Sequence, residues 1–197
     1  MTGHSAAAEH DWHSAEYVEQ WIAKDLGRVD ERRPLLAKML SFAPFPAAAT
    51  PRVLDIGAGY GAVTDAVLTA YPGATVTLQD YSQEMLDRAR RHLSARSDRL
   101  TYVLADLFDS AWKNAAGGPF DLVVSGIALH NLDDLGKITD CYRAIHGLLA
   151  AGGCFLDCDH FIHIGGVAAN MDALRQAGFA TVECLWQNEK TAILKAS

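Results

Sequence analysis

The chain has 197 residues, 50% of them hydrophobic, 9% aromatic and 21% charged; at about 150 residues per domain that is one ordinary globular unit, and it excludes a disordered, collagen-like or coiled-coil chain. Lys and Arg number 17 against 24 Asp and Glu, a net charge of -7 with His neutral, so the summed field repels polyanions and argues against nucleic acid as a partner. Apolar runs such as Val53–Ile56 and Leu122–Leu129 fall far short of the roughly 20 residues that cross a bilayer.

The start, Met1–Asp11, lacks the basic flank and apolar core of a secretion signal, and a cytoplasmic protein is expected. After Ser14, the residues Tyr17, Val18, Trp21, Ile22, Asp25 and Leu26 repeat at helical spacing. A second helix is expected after Asp30 from Leu35, Leu36, Met39 and Leu40, with Pro34 in its first turn. Pro44, Pro46 and Pro51 then break the periodicity, which divides the chain into an N-terminal helical cap, 1–50, and a main domain, 51–197.

From Arg52 onward, short apolar runs alternate with helical patterns, as βα units of a parallel sheet do. The strands fall at 52–57, 74–79, 100–105, 120–125 and 153–159. Met85, Leu86, Ala89 and Leu93 mark one intervening helix, and Leu135, Ile138, Cys141, Ile145, Leu148 and Leu149 another, capped by Asp133. A short helix over Met171–Ala177 stops at Gly178. The strands Ala180–Trp186 and Thr191–Lys195 follow, joined by Gln187-Asn-Glu-Lys190; so tight a turn makes a hairpin, and the last strand runs antiparallel to its neighbours. Cys141, Cys154, Cys158 and Cys184 lack CxxC spacing and lie in apolar segments, which reads as reduced buried thiols with no zinc site.

The strongest local pattern is Asp55-Ile-Gly57-Ala58-Gly59-Tyr-Gly61, an apolar strand ending in an acid and three alternate glycines before a helix. Glycines there let the backbone turn sharply and approach a nucleotide-like ligand closely. Gly57, Gly59 and Ala62 also satisfy the looser dinucleotide pattern G-x-G-x-x-A, so this turn alone leaves a nicotinamide-dependent oxidoreductase open.

The acid-x-G-x-G-x-G turn resembles the first motif of class I S-adenosylmethionine-dependent methyltransferases, and later segments fall where that family's other motifs belong. The resemblance covers roughly 52–197. It implies a three-layer, doubly wound α/β fold with a seven-stranded, mostly parallel sheet and an antiparallel last strand in a C-terminal hairpin. It also implies S-adenosylmethionine as cofactor and S-adenosylhomocysteine as product. On that resemblance Gly57, Ala58, Gly59 and Gly61 cradle the ligand, and Asp55 organises the turn and approaches the ligand's amino group. Asp80 takes the ribose hydroxyls, with Tyr81 and Met85 beside the nucleoside. Asp106, flanked by Ala105 and Leu107, takes the adenine amino group, and Ser125 with Gly126 lies by the methionine part.

The acceptor is expected to be a small molecule methylated at oxygen, with nitrogen or carbon as alternatives. An oxygen acceptor must lose a proton, which suits histidine near neutral pH. His130 and His160, just beyond the fourth and fifth strands, are the candidate catalytic residues. Small-molecule members insert a helical lid after the fifth strand, where this chain has only about ten residues, His160–Ala169. Trp12, His13, Tyr17, Trp21 and Asn131 are therefore candidates to line the acceptor pocket, or a second subunit of a homodimer completes it. The short lid also keeps a non-catalytic, cofactor-binding partner subunit as an alternative.

Overall fold

The computed structural model describes residues 10–197, so most of the Met1–Asp11 stretch and the first residues of the cap lie outside the described residues. Two helices come first, α1 (Ala15–Leu26) and α2 (Val29–Leu40). The Ser14 hydroxyl caps α1 by accepting from the Tyr17 backbone N–H. Pro34 lies one turn deeper than expected, inside α2. Proline leaves the carbonyl four residues back without its helical donor, and here that residue, Asp30, is exposed to water.

The main sheet is formed by β1 (Arg52–Ile56), β2 (Thr75–Asp80), β3 (Leu100–Leu104), β4 (Phe120–Gly126), β5 (Leu149–Asp159), β6 (Val182–Gln187) and β7 (Ala192–Ala196). Its order is β3-β2-β1-β4-β5-β7-β6. The pairs among β1 to β5 are parallel, and β7 runs antiparallel to both β5 and β6, as the tight hairpin turn requires. Between the strands lie α3 (Ala62–Ala70), α4 (Gln83–His92), α5 (Trp112–Ala116), α6 (Leu135–Leu148) and α7 (Gly166–Gln176).

Side chains alternate across a strand, and β1 feeds two cores in this way. Val53 packs with Leu36, Met39, Val63 and Val67 on one face, while Leu54 and Ile56 pack with Tyr142, Ile145 and Phe155 on the other. Burial on both faces explains why the central strands read as continuous apolar runs. Helix α2 lies against α3 and β5, and α1 reaches α4. The Lys195 ammonium donates to the Phe42 carbonyl at 3.1 Å, which ties the end of the cap to the last strand.

Three boundaries differ from expectation. The helix α6 is capped by Asp134, whose side chain accepts from the Lys137 N–H at 2.8 Å. Asp133 instead adopts a left-handed conformation, φ 52°, which aspartate tolerates better than most residues. Strand β5 begins at Leu149, directly after α6, and α7 begins at Gly166, so a single short turn, Phe161–Ile164, separates the fifth strand from the next helix. The four cysteines are free thiols, three of them buried and Cys184 half-buried. Among the described residues, no helix is long and apolar enough to cross a membrane.

Candidate active site

The carboxyl ends of β1 to β5 converge on a cavity of about 730 Å³ roofed by the N-terminal helices, a volume in the range of small-molecule sites. Its floor is the glycine turn. Gly57, Gly59 and Gly61 all have positive φ, at 62°, 55° and 89°. A Cβ on Gly57 would stand 2.5 Å from the Ala128 Cβ, and one on Gly126 2.6 Å from the Val63 Cγ2. These two positions need glycine for space, so β1, β4 and the start of α3 can close around the cavity.

At one end stand the tips of β2 and β3. Each oxygen of Asp80 accepts one backbone N–H at 2.8 Å, Oδ2 from Gly59 and Oδ1 from Ser82, which aims the carboxylate and leaves lone pairs free. Burial pushes the Asp80 pKa up, opposed by these same hydrogen bonds. Tyr81, Met85, Asp106 and Leu107 complete this end. The Tyr81 phenol is pushed up to about 12, by burial first and then by Asp80 and Asp106.

Gln79 was not singled out from the sequence. It is buried, its Oε1 accepts the Gly57 N–H at 3.2 Å, and its Nε2 donates to the Ala105 carbonyl at 2.6 Å. One side chain thereby couples the glycine turn to the tip of β3. The signal available was its place beside Asp80 at the strand end.

Four candidates support the cavity from behind. Asp55 is fully buried, with Oδ2 accepting the Thr64 hydroxyl at 2.7 Å and Oδ1 left without a partner among the described residues. Burial raises its pKa to about 7 against the Thr64 hydrogen bond. The buried Ser125 hydroxyl also lacks a partner. Gly61 begins α3, and Ala105 sits beside the cavity as the acceptor of Gln79.

The opposite end carries Gly126, His130 and Asn131. His130 Nδ1 lies 2.6 Å from Oδ1 of Asp159, a fully buried carboxylate that also accepts the backbone N–H groups of His130 and His160 at 3.0 and 2.7 Å. Asp159 therefore fixes the imidazole, a role the sequence did not reveal. His160 points elsewhere. Its Nδ1 meets the Lys190 carbonyl and the Thr191 hydroxyl at 3.2 and 3.0 Å, and burial lowers its pKa. It lines a second cavity, also about 730 Å³, between α2 and the β6–β7 turn. Arg32, Ile127 and His163 line both cavities. Ile127 has a φ of 56°, a strained conformation for a β-branched residue and one that marks functional loops. Among the described residues, no three His, Cys, Asp or Glu side chains are arranged to hold a metal.

Over the cavity, Trp12 and Trp21 meet edge to face at 5.4 Å. His13 and Tyr17 stand behind this roof, His13 against Tyr81 at 5.1 Å and Tyr17 against Trp12 at 5.3 Å. The Ser82 hydroxyl donates to the Trp12 carbonyl. Tyr60, in the glycine turn, donates to Asp25 of α1 at 2.7 Å.

Residues 54–155 match a family model described as a methyltransferase domain. Among curated relatives, the malonyl-[acyl-carrier protein] O-methyltransferase of Geobacter sulfurreducens is 34% identical over 77% of this chain and 49% of its own length. The trans-aconitate 2-methyltransferase of Paracidovorax citrulli is 33% identical over 61% and 40%. The chain spans less than half the length of these curated relatives. The fold is shared with human N-acetylserotonin methyltransferase, solved in complex with SAM, at a TM-score of 0.71 and 18% identity over 96% of this chain and 59% of that one. It is shared also with a TehB-like SAM-dependent methyltransferase of Corynebacterium glutamicum, at a TM-score of 0.72 and 15% identity over 93% and 99%. The glycine turn that also fitted a dinucleotide pattern is thus part of a different fold, and the chain belongs to the methyltransferase-domain family.

Proposed function

We propose that this chain transfers the methyl group of S-adenosylmethionine to an oxygen of a small-molecule acceptor. The observation that carries this reading is that the His130–Asp159 pair opens onto the same cavity as the glycine turn and the Asp80 carboxylate. The residues fit the cofactor: Asp80 keeps lone pairs for two ribose hydroxyls, the turn packs so closely on Ala128 that it has no room for a Cβ at Gly57, and Asp55 holds an orphaned oxygen beneath the turn. Asp106 with Ala105 and Leu107 would hold the adenine amino edge, Tyr81 and Met85 would flank the nucleoside, and Ser125 and Gly126 would border the methionine part.

The bound cofactor supplies a methyl carbon made electrophilic by its sulfonium, so the protein needs no covalent nucleophile. Its own contribution is placement of the acceptor in line with that methyl and removal of the acceptor's proton. His130 takes the hydroxyl proton, and Asp159 orients the ring and stabilises the imidazolium that forms. Trp12 and Trp21, backed by His13 and Tyr17, exclude water from above, while Asn131 borders the acceptor. The second cavity, which adjoins the first at Arg32, Ile127 and His163, takes the body of the acceptor, with His160 contributing to its wall rather than to proton transfer. In this reading residues 1–50 act as a cap and 51–197 as the transfer domain. The relative named as a malonyl-[acyl-carrier protein] O-methyltransferase supports an oxygen acceptor, and the one named for trans-aconitate supports a small one.

The test is incubation of the purified chain with S-adenosylmethionine and a panel of hydroxylated and carboxylated small molecules, with S-adenosylhomocysteine release as readout. Acceptor-dependent release is expected. Tight cofactor binding with no release across the panel would overturn transfer and favour a cofactor-binding partner subunit.

A further inference from the structure

Asp157 lies two residues before Asp159 on β5, and alternation along a strand puts both side chains on one face. Both are fully buried. Asp159 is met by three donors, the His130 ring and the backbone N–H groups of His130 and His160. Among the described residues Asp157 meets one group, the Tyr142 hydroxyl at 3.0 Å from its Oδ2, and its Oδ1 has no partner. The other groups around it are Asp159 and Cys158 on its own strand, Cys141 beside Tyr142 on α6, and its register neighbours Ser125 of β4 and Leu194 of β7. None of these is a cation.

The hydrogen bonds around Tyr142 require a proton on Asp157. Asn170 of α7 is fully buried, and its Nδ2 donates to the Ile164 and Gly166 carbonyls at 2.8 and 2.9 Å. That fixes its Oδ1 as an acceptor, 3.3 Å from the Tyr142 hydroxyl. The hydroxyl has one proton and faces two oxygens, Oδ1 of Asn170 and Oδ2 of Asp157. Both contacts are satisfied when the Tyr142 proton goes to Asn170 and Asp157 supplies a proton of its own to the Tyr142 oxygen. Burial, and after it the Asp159 charge, push the Asp157 carboxyl well above the usual carboxylate range. Two carboxylates buried side by side do not both ionise, and the charge stays where three donors meet it.

We propose that Asp157 donates a proton to Tyr142, and that Asp157, Tyr142 and Asn170 are positioning residues for the His130–Asp159 pair. The proton on Asp157 reserves the negative charge of β5 for Asp159, opposite the imidazole. The same chain runs through Asn170 to the Ile164 carbonyl, at the end of the turn that follows His160 and carries His163. Strand and turn are thereby braced together. This rests on His130 being the base of the transfer reaction.

The experiment pairs infrared spectroscopy with kinetics. The wild type and Asp157→Asn are compared at neutral pH with aspartate isotope-labelled at its side-chain carboxyl. Loss of a protonated-carboxyl band in the variant is expected; loss of an ionised-carboxylate band would overturn the proposal. Turnover and its pH dependence are measured with the hydroxylated panel compound that gives the fastest S-adenosylhomocysteine release. Asp157→Leu, which fills the space without a polar group, should lower kcat roughly 10-fold with S-adenosylhomocysteine affinity unchanged. Asp157→Asn, which keeps a donor toward Tyr142, should recover most of that loss and leave the acid limb of the pH–rate profile in place. An acid limb moved to lower pH in Asp157→Asn means that a negative charge has been removed from beside His130, and it refutes the proposal. Equal turnover in the wild type and Asp157→Leu refutes it as well. Should Asp157→Leu not fold, Tyr142→Phe carries the same expectation, since it breaks the chain and keeps the bulk. If no panel compound gives release with the wild type, the transfer reading itself fails, while the infrared spectrum still locates the proton.

Discussion

Nδ1 of His130 lies 2.6 Å from Oδ1 of Asp159, and Oδ2 of the same carboxylate accepts the His130 backbone N–H at 3.0 Å. The carboxylate grips ring and backbone together, so the ring's other nitrogen is the one available to an acceptor. His130→Ala is expected to lower turnover roughly 10²- to 10⁴-fold with little change in cofactor affinity. Asp159→Asn should lower turnover and alter the pH–rate profile while the protein still binds S-adenosylhomocysteine normally. Steady-state kinetics across pH, paired with calorimetry, checks both; unchanged turnover in His130→Ala removes it from the mechanism.

Asp80→Ala is expected to weaken cofactor binding roughly 100-fold or more, because two ribose hydroxyls lose a charged acceptor and the Gly59 and Ser82 N–H groups lose theirs. Adenosine serves as the control ligand. It carries the same two hydroxyls and should weaken in parallel, whereas near-normal affinity for both compounds would contradict the assignment.

Gly57→Ala places a methyl 2.5 Å from the Ala128 Cβ at a φ of 62°. The left-handed backbone and the clash together should cost about 2–4 kcal/mol of stability and abolish cofactor binding. Chemical denaturation measures the first effect and calorimetry the second.

Asp55 supplies a pH dependence. Its carboxyl is raised from 3.8 to about 7 by burial, so the folded state keeps a proton that the unfolded chain releases above about pH 4. Stability from this group is therefore highest at low pH and falls as pH rises toward about 7. A ligand ammonium beside Asp55 favours the ionised form, so cofactor binding should release a proton below about pH 7. Affinity should accordingly rise with pH up to that point and then level off. Titrations in buffers of different ionisation enthalpy detect the proton, and Asp55→Asn should remove it.

Much of this architecture was readable because it depends on local pattern. The alternation of apolar runs and helical stripes marked all seven strands, and the short turn Gln187–Lys190 revealed the reversed last strand. Boundaries were less legible where neighbouring residues compete for one role: Asp133 and Asp134 are both good caps, and only the backbone conformation decides between them. Gln79, Asp159 and Arg32 were hidden for a different reason. Asp159 meets His130 only because β4 and β5 pair with Gly126 beside Cys158. Gln79 bridges two strand ends that lie far apart in sequence. Arg32 is one of several charged residues on α2, and its burial follows from how that helix docks.

The hydroxyl of Tyr60 belongs to the glycine turn, and the Asp25 carboxylate that it meets belongs to α1. Lifting the first helix away strips a donor and an acceptor at once and loosens the backbone that floors the first cavity. Fraying of α1 and melting of the turn should thus be one thermodynamic event. Amide hydrogens of α1 and of residues 59–62 would then exchange with deuterium at a common opening free energy, not in order of their depth, and a bound nucleoside would slow both sets together.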